Sequence, residues 1–460
     1  MNSLPSLLKK GFFLLIILFT GFSMFAQGWR NNEMEIKVKI ENRKQAETLG
    51  QLKLNGDIYR DYALMYVTPD ELTKLENTGL TFEITKTNLN EYYRDFWETR
   101  DAYHTYGEII AIIDSLVTAL PDLCAKTVLG QSVGGRQLVA IKISDNVQVD
   151  ENEPEVAFDG NIHGDEIGGG ENMIRFARWL CQQYDENPEI ADLINNREIW
   201  ILPLVNPDGR VNLTRYNNNG IDLNRDAGYI WNGEGSSPGP YSQPESKAVR
   251  NLFYNNQFSI EMTYHSGTEM FLHPWFFFEV ASPDNEAATE IAYVYASNSG
   301  YSGLETGPGT SLYPTTGSTA ESFYGVMGSM AIVMELSYNK QPPASQIGYY
   351  FNINLQSMIE VLKYSGYGVD GVITDSQTGE PVAAAVFVQN TLPVYSDPEV
   401  GDFHKFIMPG TYNVKVIANG YQTKVINNVV VNEFSSTTVN VALDPEEHQE
   451  IYRVCASQRP

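Results

Sequence analysis

Residues 159–166 read Asp159-Gly160-Asn161-Ile162-His163-Gly164-Asp165-Glu166, directly after the apolar run 156–158 and before a glycine cluster. A short apolar run of this kind predicts a buried strand, and the residues after it predict a turn. The imidazole of His163 and the carboxylate of Glu166 are both ligand types for zinc, and one turn can direct both at a single cation. We therefore interpret the segment as half of a zinc site.

The His-x-x-Glu spacing has little specificity by itself. Six histidines and 57 acidic residues in a chain of 460 give about 0.7 such pairs by chance. A histidine that follows a strand is more often a hydrogen-bonded core residue than a ligand. The interpretation therefore depends on ligands supplied by other strands.

Two later apolar runs supply them. Run 260–264 predicts a strand followed by His265, and run 331–336 carries Glu335 near its end. Ligands of open α/β sheets gather at the carboxyl ends of the strands. Two histidines and one carboxylate leave a fourth position open on zinc, which is typical of a catalytic site. We predict one Zn²⁺ held by His163, Glu166 and His265, with Glu335 as an additional acid.

The chain is long enough for two to four domains. Lys9 and Lys10 precede the apolar run 12–19, and small or apolar residues continue to Ala26, which predicts a signal peptide over residues 1–26. An uncleaved anchor is the alternative. Because no second long hydrophobic stretch follows, we expect a secreted protein, extracellular or periplasmic, without a stable membrane anchor.

Residues 27–100 predict a small α+β unit. Met34, Ile36 and Val38 alternate with polar residues as in a strand, and Thr68-Pro69-Asp70-Glu71 is a capping box that begins a helix. A unit of this size before a larger domain is either a prosegment that covers an active site or a plain packing domain.

Residues 101–366 predict an α/β domain with a mixed, mostly buried sheet, because apolar runs alternate with amphipathic helices, one of them from about Gly170 to Tyr184. Residues 367–446 change to short strands separated by turn residues, which predicts an all-β sandwich. Residues 447–460 form an acidic tail.

The formal charge of −26 excludes general electrostatic binding of nucleic acid. Cys124, Cys181 and Cys455 are too few for a disulfide scaffold, and their odd number leaves at least one unpaired unless chains cross-link. We expect a monomer.

Five strings occur in an order that resembles the zinc metallocarboxypeptidases of the funnelin family, in particular the regulatory N/E-type branch. They are 160–166, Asn206-Pro207-Asp208-Gly209, 215–225 (Arg215 to Arg225, through Asn217-Asn218-Asn219-Gly220-Ile221-Asp222), Tyr264-His265-Ser266-Gly267 and Val333-Met334-Glu335-Leu336. The resemblance covers nearly the whole chain after residue 26. Residues 367–446 are similar to the transthyretin-like domain of that branch, and residues 27–100 look like a family prosegment.

The resemblance implies a peptidase that acts on peptide and protein C-termini. Zinc would activate a water molecule, and Glu335 would take its proton and return it to the departing amine, a contribution of roughly 10²- to 10⁴-fold. Arg215 would stabilise the oxyanion. Asp222 would orient His163.

The resemblance also implies how substrate is held. Asn224 and Arg225 would bind the terminal carboxylate, and Tyr313, 22 residues before Glu335, matches the mobile tyrosine that closes over the substrate. Phe276 falls where members specific for basic residues place an acid, and Ala320 in the same pocket is also uncharged. We expect release of neutral or apolar residues, although Glu269, Glu279 or Glu321 could supply a charge.

Two other functions stay open from the sequence. One is a related zinc amidohydrolase acting on cell-wall peptides or on side-chain amides. The other is a catalytically silent binding protein, since secreted chains that carry a sandwich domain often serve interactions.

Overall fold

The computed structural model describes residues 29–59, 61–94, 96 and 103–446. The predicted signal peptide, the acidic tail and Cys455 lie outside these residues. Among the helices within the described ranges, none combines the length and apolar character needed to cross a membrane.

The N-terminal part of the described chain is a four-stranded sheet with the strand order β2-β3-β1-β4. The predicted alternation of Ile36 and Val38 is confirmed, because both side chains are buried in the core of this unit. The strands are β1 (Met34–Lys39), β2 (Asn55–Ile58), β3 (Tyr62–Val67) and β4 (Phe82–Lys86). The helices span Arg43–Gln51, Pro69–Glu76 and Leu89–Tyr92.

The central part contains an eight-stranded sheet with the order β11-β10-β12-β9-β7-β8-β6-β5. Strand β9 pairs in parallel with both β7 and β12, and β7 pairs in parallel with β8. The pairs β5–β6, β6–β8 and β10–β12 are antiparallel, which confirms the predicted mixed sheet. The strands are β5 (Cys124–Gln131), β6 (Gln137–Ile143), β7 (Glu155–Gly160), β8 (Glu198–Leu202), β9 (Phe258–His265), β10 (Glu269–His273), β11 (Glu305–Pro308) and β12 (Met330–Leu336).

Helices pack against this sheet and bury its apolar side chains in two clusters. The longer helices span Tyr106–Ala119, Ile167–Gln183, Pro244–Asn255, Asn285–Asn298 and Ile347–Ser365. Shorter helices span Pro188–Ile194, Pro207–Asn212 and Thr319–Ser322.

The helix that follows the ligand turn begins at Ile167, three residues before the predicted start at Gly170. Its glycines permit close packing, because a side chain at these positions would collide with the backbone of a neighbouring segment. A Cβ atom on Gly169 would lie 2.5 Å from the carbonyl oxygen of Tyr264, and one on Gly160 would lie 2.7 Å from the carbonyl carbon of Gly169. The helix can therefore begin directly after Glu166 and lie against β7 and β9.

The C-terminal part consists of two small sheets, β16-β13-β19 with β20 added to β13, and β15-β14-β17-β18. The strands are β13 (Gly368–Asp375), β14 (Ala385–Val388), β15 (Val394–Tyr395), β16 (Asp402–Lys405), β17 (Gly410–Ile417), β18 (Lys424–Val431), β19 (Ser436–Thr438) and β20 (Val441–Leu443). The prediction of one strand over 439–443 is wrong at its start, because residues 439–440 belong to no strand and β20 begins at Val441.

The two sheets enclose an apolar core of their own. A buried ion pair joins them to the central part, since the Lys405 Nζ atom lies 2.8 Å from Asp284 Oδ1. The side chain of Asp284 also accepts hydrogen bonds from Tyr324 and from the backbone of Leu392. The C-terminal part therefore sits on the central sheet through a charge-neutral contact whose members are hydrogen-bonded.

Candidate functional site

The three predicted ligands meet at the carboxyl edge of the central sheet. Strand β7 ends at Gly160, which pairs with Tyr264 in β9, so His163 and His265 follow neighbouring strands at the same edge. The Nδ1 atom of His163 lies 2.8 Å from Glu166 Oε1, and that of His265 lies 2.9 Å from Glu166 Oε2. The two Nδ1 atoms are 3.2 Å apart. All three side chains are buried.

This cluster fits one zinc ion. Its three donor atoms lie within 4.8 Å of one another, and two imidazole nitrogens with one carboxylate are the donor set of a catalytic zinc site with an open position. The opposite nitrogen of His163, Nε2, lies 3.3 Å from Asp222 Oδ1. A carboxylate in that position favours the proton on Nε2 and leaves Nδ1 free to bind metal.

Glu335 lies beside the cluster because β12 is the next strand to β9, with Glu335 opposite His265. Its Oε2 atom is buried without a hydrogen-bond partner among the described residues, and its side chain lines the same cavity as His163 and Glu166. Burial raises the pKa of the Glu335 carboxyl to about 8. A divalent cation nearby favours the charged form and lowers that pKa.

Arg215 lies at the edge of the cluster and is almost completely buried. Its Nε donates to Asp222 Oδ2 at 2.8 Å, and its Nη1 contacts His163 Nδ1 at 3.2 Å. Burial alone lowers the pKa of this guanidinium, but the carboxylates of Asp222 and Asp57 raise it well above its ordinary value. Arg215 is therefore a fixed positive charge next to the metal ligands.

The predicted carboxylate-binding residues line the same cavity as the metal ligands. The Nη2 atom of Arg225 donates to the hydroxyl of Tyr313 at 2.9 Å. The side-chain oxygen of Asn224 accepts from the backbone N–H of Thr319 at 3.1 Å, which leaves its NH₂ group for other partners. The structure thus brings Asn224, Arg225 and Tyr313 together with the metal cluster.

Apolar side chains also line this cavity, those of Leu272, Phe276, Leu312, Ala320 and Val333, together with the polar Thr315 and Ser318. The predicted pocket residues Phe276 and Ala320 are both among them.

None of the three acids considered from the sequence lines this cavity among the described residues. The carboxylate of Glu321 accepts from the backbone N–H groups of Phe276 and Phe277, and that of Glu279 pairs with Arg43. Glu269 lies at the start of β10, only partly buried. None of these three acids therefore supplies a charge to the part of the cavity lined by Phe276 and Ala320.

Two charged residues of the site were missed by sequence reasoning. Asp57, from β2 of the N-terminal unit, hydrogen-bonds Arg215 Nη1, and its other oxygen lies 2.7 Å from Lys340 Nζ. Lys340 also lies 3.1 Å from Asp165 and 3.4 Å from Glu166. Lys340 lies five residues after Glu335, and this short distance is the only sequence feature that could have placed it in the site. The sequence of β2 contains no feature that indicates a site role for Asp57.

Comparisons with known proteins point to one family. The family model described as zinc carboxypeptidase matches residues 109–357. Carboxypeptidase E of Caenorhabditis elegans is 30% identical over 412 residues, covering 75% of this chain and 87% of the relative. Carboxypeptidase SOL1 of Arabidopsis thaliana is 32% identical over 314 residues, covering 64% of this chain and 63% of the relative.

The crystal structure of carboxypeptidase A from Helicoverpa armigera superposes with a TM-score of 0.61 at 19% identity, covering 73% of this chain and 97% of that one. This likeness concerns the fold. The cluster of His163, Glu166 and His265 offers the donor set that catalytic zinc sites use. With the family match over more than half of its length, the chain belongs to the zinc carboxypeptidase family.

Replacing one ligand tests the assignment of the metal cluster. We expect the purified full chain to bind one zinc ion, and His265→Ala to weaken zinc binding by more than about 100-fold, because only two donors remain. Metal analysis together with chelator competition measures both quantities. His273→Ala is the matched control, since His273 is also buried but its ring contacts the Pro274 carbonyl outside the cluster. Equal zinc affinity of His265→Ala and the wild type would contradict the ligand assignment.

Proposed function

We propose that this protein is a secreted, zinc-dependent carboxypeptidase that removes single residues from the free C-termini of peptides or proteins. One observation carries the proposal: the His163–Glu166–His265 cluster, Glu335 and the pair Arg225–Tyr313 all line a single cavity. A metal-centred hydrolytic group and a cationic group for a terminal carboxylate in one cavity are what an exopeptidase requires.

The roles of the side chains follow from their positions. Zinc held by these residues would lower the pKa of a water molecule and polarise the scissile carbonyl as a Lewis acid. Glu335, with its free Oε2 atom, accepts the proton of the attacking water and delivers it to the departing amine. Arg215, a permanent positive charge 3.2 Å from His163, stabilises the negative oxygen of the tetrahedral state.

The other end of the cavity binds the substrate terminus. The Arg225 guanidinium presents a planar set of N–H donors that matches the two oxygens of a carboxylate, and the amide of Asn224 adds a further donor. Tyr313 contacts Arg225 and also lines the cavity. A substrate without a free carboxylate would bring no anion to this guanidinium.

A comparison of free-acid and amidated peptides tests the activity, with the full chain and the Asp57→Asn variant as enzymes. We expect release of the last residue from free-acid peptides only, and loss of that release with a chelator. Glu335→Gln should keep zinc and lower kcat by roughly 10²- to 10⁴-fold, because the proton acceptor is lost.

Two results would contradict these assignments. Equal cleavage of amidated and free-acid peptides would exclude the carboxylate-binding role of Arg225 and favour an amidohydrolase. Normal turnover by Glu335→Gln would exclude this residue as the base. Absence of turnover in both the unmodified full chain and the Asp57→Asn variant would favour the binding-protein alternative.

We further propose that the released residue is neutral or apolar. Phe276, Ala320 and aliphatic side chains line part of the cavity, and the carboxylate of Glu321 accepts hydrogen bonds from backbone N–H groups instead of lining it. Placing a lysine or arginine side chain there would bury a charge without a partner, which costs several kcal/mol.

Peptides that differ only in the last residue test this specificity. We expect kcat/KM for C-terminal Phe or Leu to exceed that for Lys or Arg by more than about tenfold, since burying an unpaired charge is unfavourable. Phe276→Asp should shift the preference towards Lys and Arg. Faster release of Lys or Arg by the unmodified enzyme would refute the apolar pocket as the determinant.

We propose that the N-terminal unit, residues 27–100, is a prosegment that covers the active site. Asp57, Ile58 and Tyr59 line the same cavity as the metal ligands. The Asp57 carboxylate pairs with both Arg215 and Lys340, and the hydroxyl of Tyr62 donates to the Gly267 carbonyl at 3.2 Å, beside His265. A peptide that approaches Arg215 must displace these contacts.

Loss of the Asp57 charge should therefore activate the intact chain. A charge-assisted hydrogen bond contributes about 1.5–3 kcal/mol. We accordingly expect Asp57→Asn to raise kcat/KM for a small peptide by roughly 10- to 100-fold. The control Asp61→Asn removes an exposed carboxylate from the same unit and should leave activity unchanged. Equal activity of wild type, Asp57→Asn and Asp61→Asn would show that the unit does not obstruct the site.

A further inference from the structure

A single buried arginine bridges the two ends of the ligand-bearing turn. Arg210, on the short helix Pro207–Asn212, is completely buried. Its Nη1 atom donates to the side-chain oxygen of Asn161 at 2.6 Å and to the carbonyl oxygen of Ile167 at 3.1 Å. Asn161 precedes His163 by two residues, and Ile167 directly follows Glu166. One guanidinium nitrogen therefore holds both flanks of the segment that carries two ligands.

The contact to Asn161 is passed on to the turn itself. The side-chain NH₂ group of Asn161 donates to the carbonyl oxygens of His163 at 2.8 Å and Gly164 at 3.1 Å. Asn161 has a φ of +62°, so its backbone reverses the chain at the end of β7. Arg210 thus fixes the amide of Asn161, which in turn fixes the backbone of a ligand residue.

The turn also rests directly on the helix that carries Arg210. A Cβ atom on Gly164 would lie 2.0 Å from the carbonyl carbon of Gly209, so these backbones touch. The turn can move away from the helix only if the hydrogen bonds of Arg210 are broken.

The charge of Arg210 is balanced on its other side. Its Nη2 atom donates to Glu171 Oε1 at 2.6 Å and to the carbonyl oxygen of His104 at 2.7 Å. His104 returns two contacts to the same carboxylate, from its backbone N–H and from ring Nδ1, both at 2.8 Å. Burial raises the pKa of Glu171, but the contacts with His104 and Arg210 outweigh burial and lower it below its ordinary value.

We propose that Arg210 is a positioning residue for the metal site, which preorganises residues 161–167 so that His163 and Glu166 face the same point. Arg210 makes no hydrogen bond to the side chain of His163 or Glu166. It acts on them through its hydrogen bonds to Asn161 and to the Ile167 carbonyl. Without it, the turn samples backbone conformations that direct the two ligands apart, and metal binding must restore their order. The proposal rests on the metal site and is independent of which peptide bond the protein cleaves.

The same network fixes where the catalytic domain must begin. His104 follows the undescribed stretch 97–102 and supplies three of the contacts that surround Glu171 and Arg210. Removal of the N-terminal unit keeps this network only if the cut lies before His104.

Zinc affinity of the full chain, measured by competition with a chromogenic chelator, tests the proposal without an activity assay. Residues that orient metal ligands typically change affinity by about 10- to 100-fold when they are replaced. We expect Arg210→Met to weaken zinc binding by that factor. Arg197→Met is the matched control, because Arg197 is partly buried and also donates to backbone carbonyls, but those of Leu362 and Lys363 rather than one in the ligand-bearing turn.

A second variant separates positioning from general loss of stability. Asn161→Gly keeps the backbone conformation with positive φ and removes the amide. We expect it to weaken zinc binding as Arg210→Met does, and the double variant to lose less than the sum of the two single losses, because both variants remove the contact between Arg210 and Asn161. It also provides the test if Arg210→Met fails to fold. Zinc affinity within twofold of wild type in Asn161→Gly, additive losses, or an equal loss in Arg197→Met would each overturn the proposal.

Discussion

The parallel pairing of β7, β9 and β12 is the constraint on which the rest of the site depends. These adjacent strands end at one edge of the sheet, and their registers place Gly160 beside Tyr264 and His265 beside Glu335. A shift of one residue in either register would move a ligand to the opposite face of the sheet. The buried apolar side chains of β9 and β12 fix the registers, so the packing of the core determines the geometry of the chemistry.

The ion-paired carboxylates around this edge outnumber the cations paired with them. Among the described residues, the ion-paired network around the cluster contains four carboxylates, those of Asp57, Asp165, Glu166 and Asp222, and two cations, Arg215 and Lys340. With neutral histidines this leaves two negative charges in a buried region, which Zn²⁺ neutralises.

Much of this site could be predicted from the sequence because its signals are local. Each predicted ligand follows an apolar run that is typical of a strand, and strands of an α/β sheet end at a common edge, so the sequence alone predicts that His163, Glu166, His265 and Glu335 lie close together. The roles of Arg225, Tyr313 and Phe276 came from resemblance to a family, since nothing in their local sequence indicates what they face.

The parts that sequence reasoning missed depend on long-range packing. The pairing of Asp57 with Arg215 joins residues 158 positions apart, and the contact of Arg210 with Asn161 joins residues 49 positions apart. Neither has a periodic or motif signature. The predicted start of the helix Ile167–Gln183, at Gly170, is three residues too late. Glycine normally disfavours helix interiors, whereas here it permits close approach of the helix to β7 and β9.

Zinc K-edge X-ray absorption of the purified full chain tests the central claim most directly, because it reports the atoms bound to the metal. The account predicts two imidazole nitrogens at about 2.0–2.1 Å and light oxygen scatterers at about 2.0–2.2 Å, with no sulfur at about 2.3 Å. A sulfur ligand, a single imidazole or a third imidazole in the spectrum would contradict it.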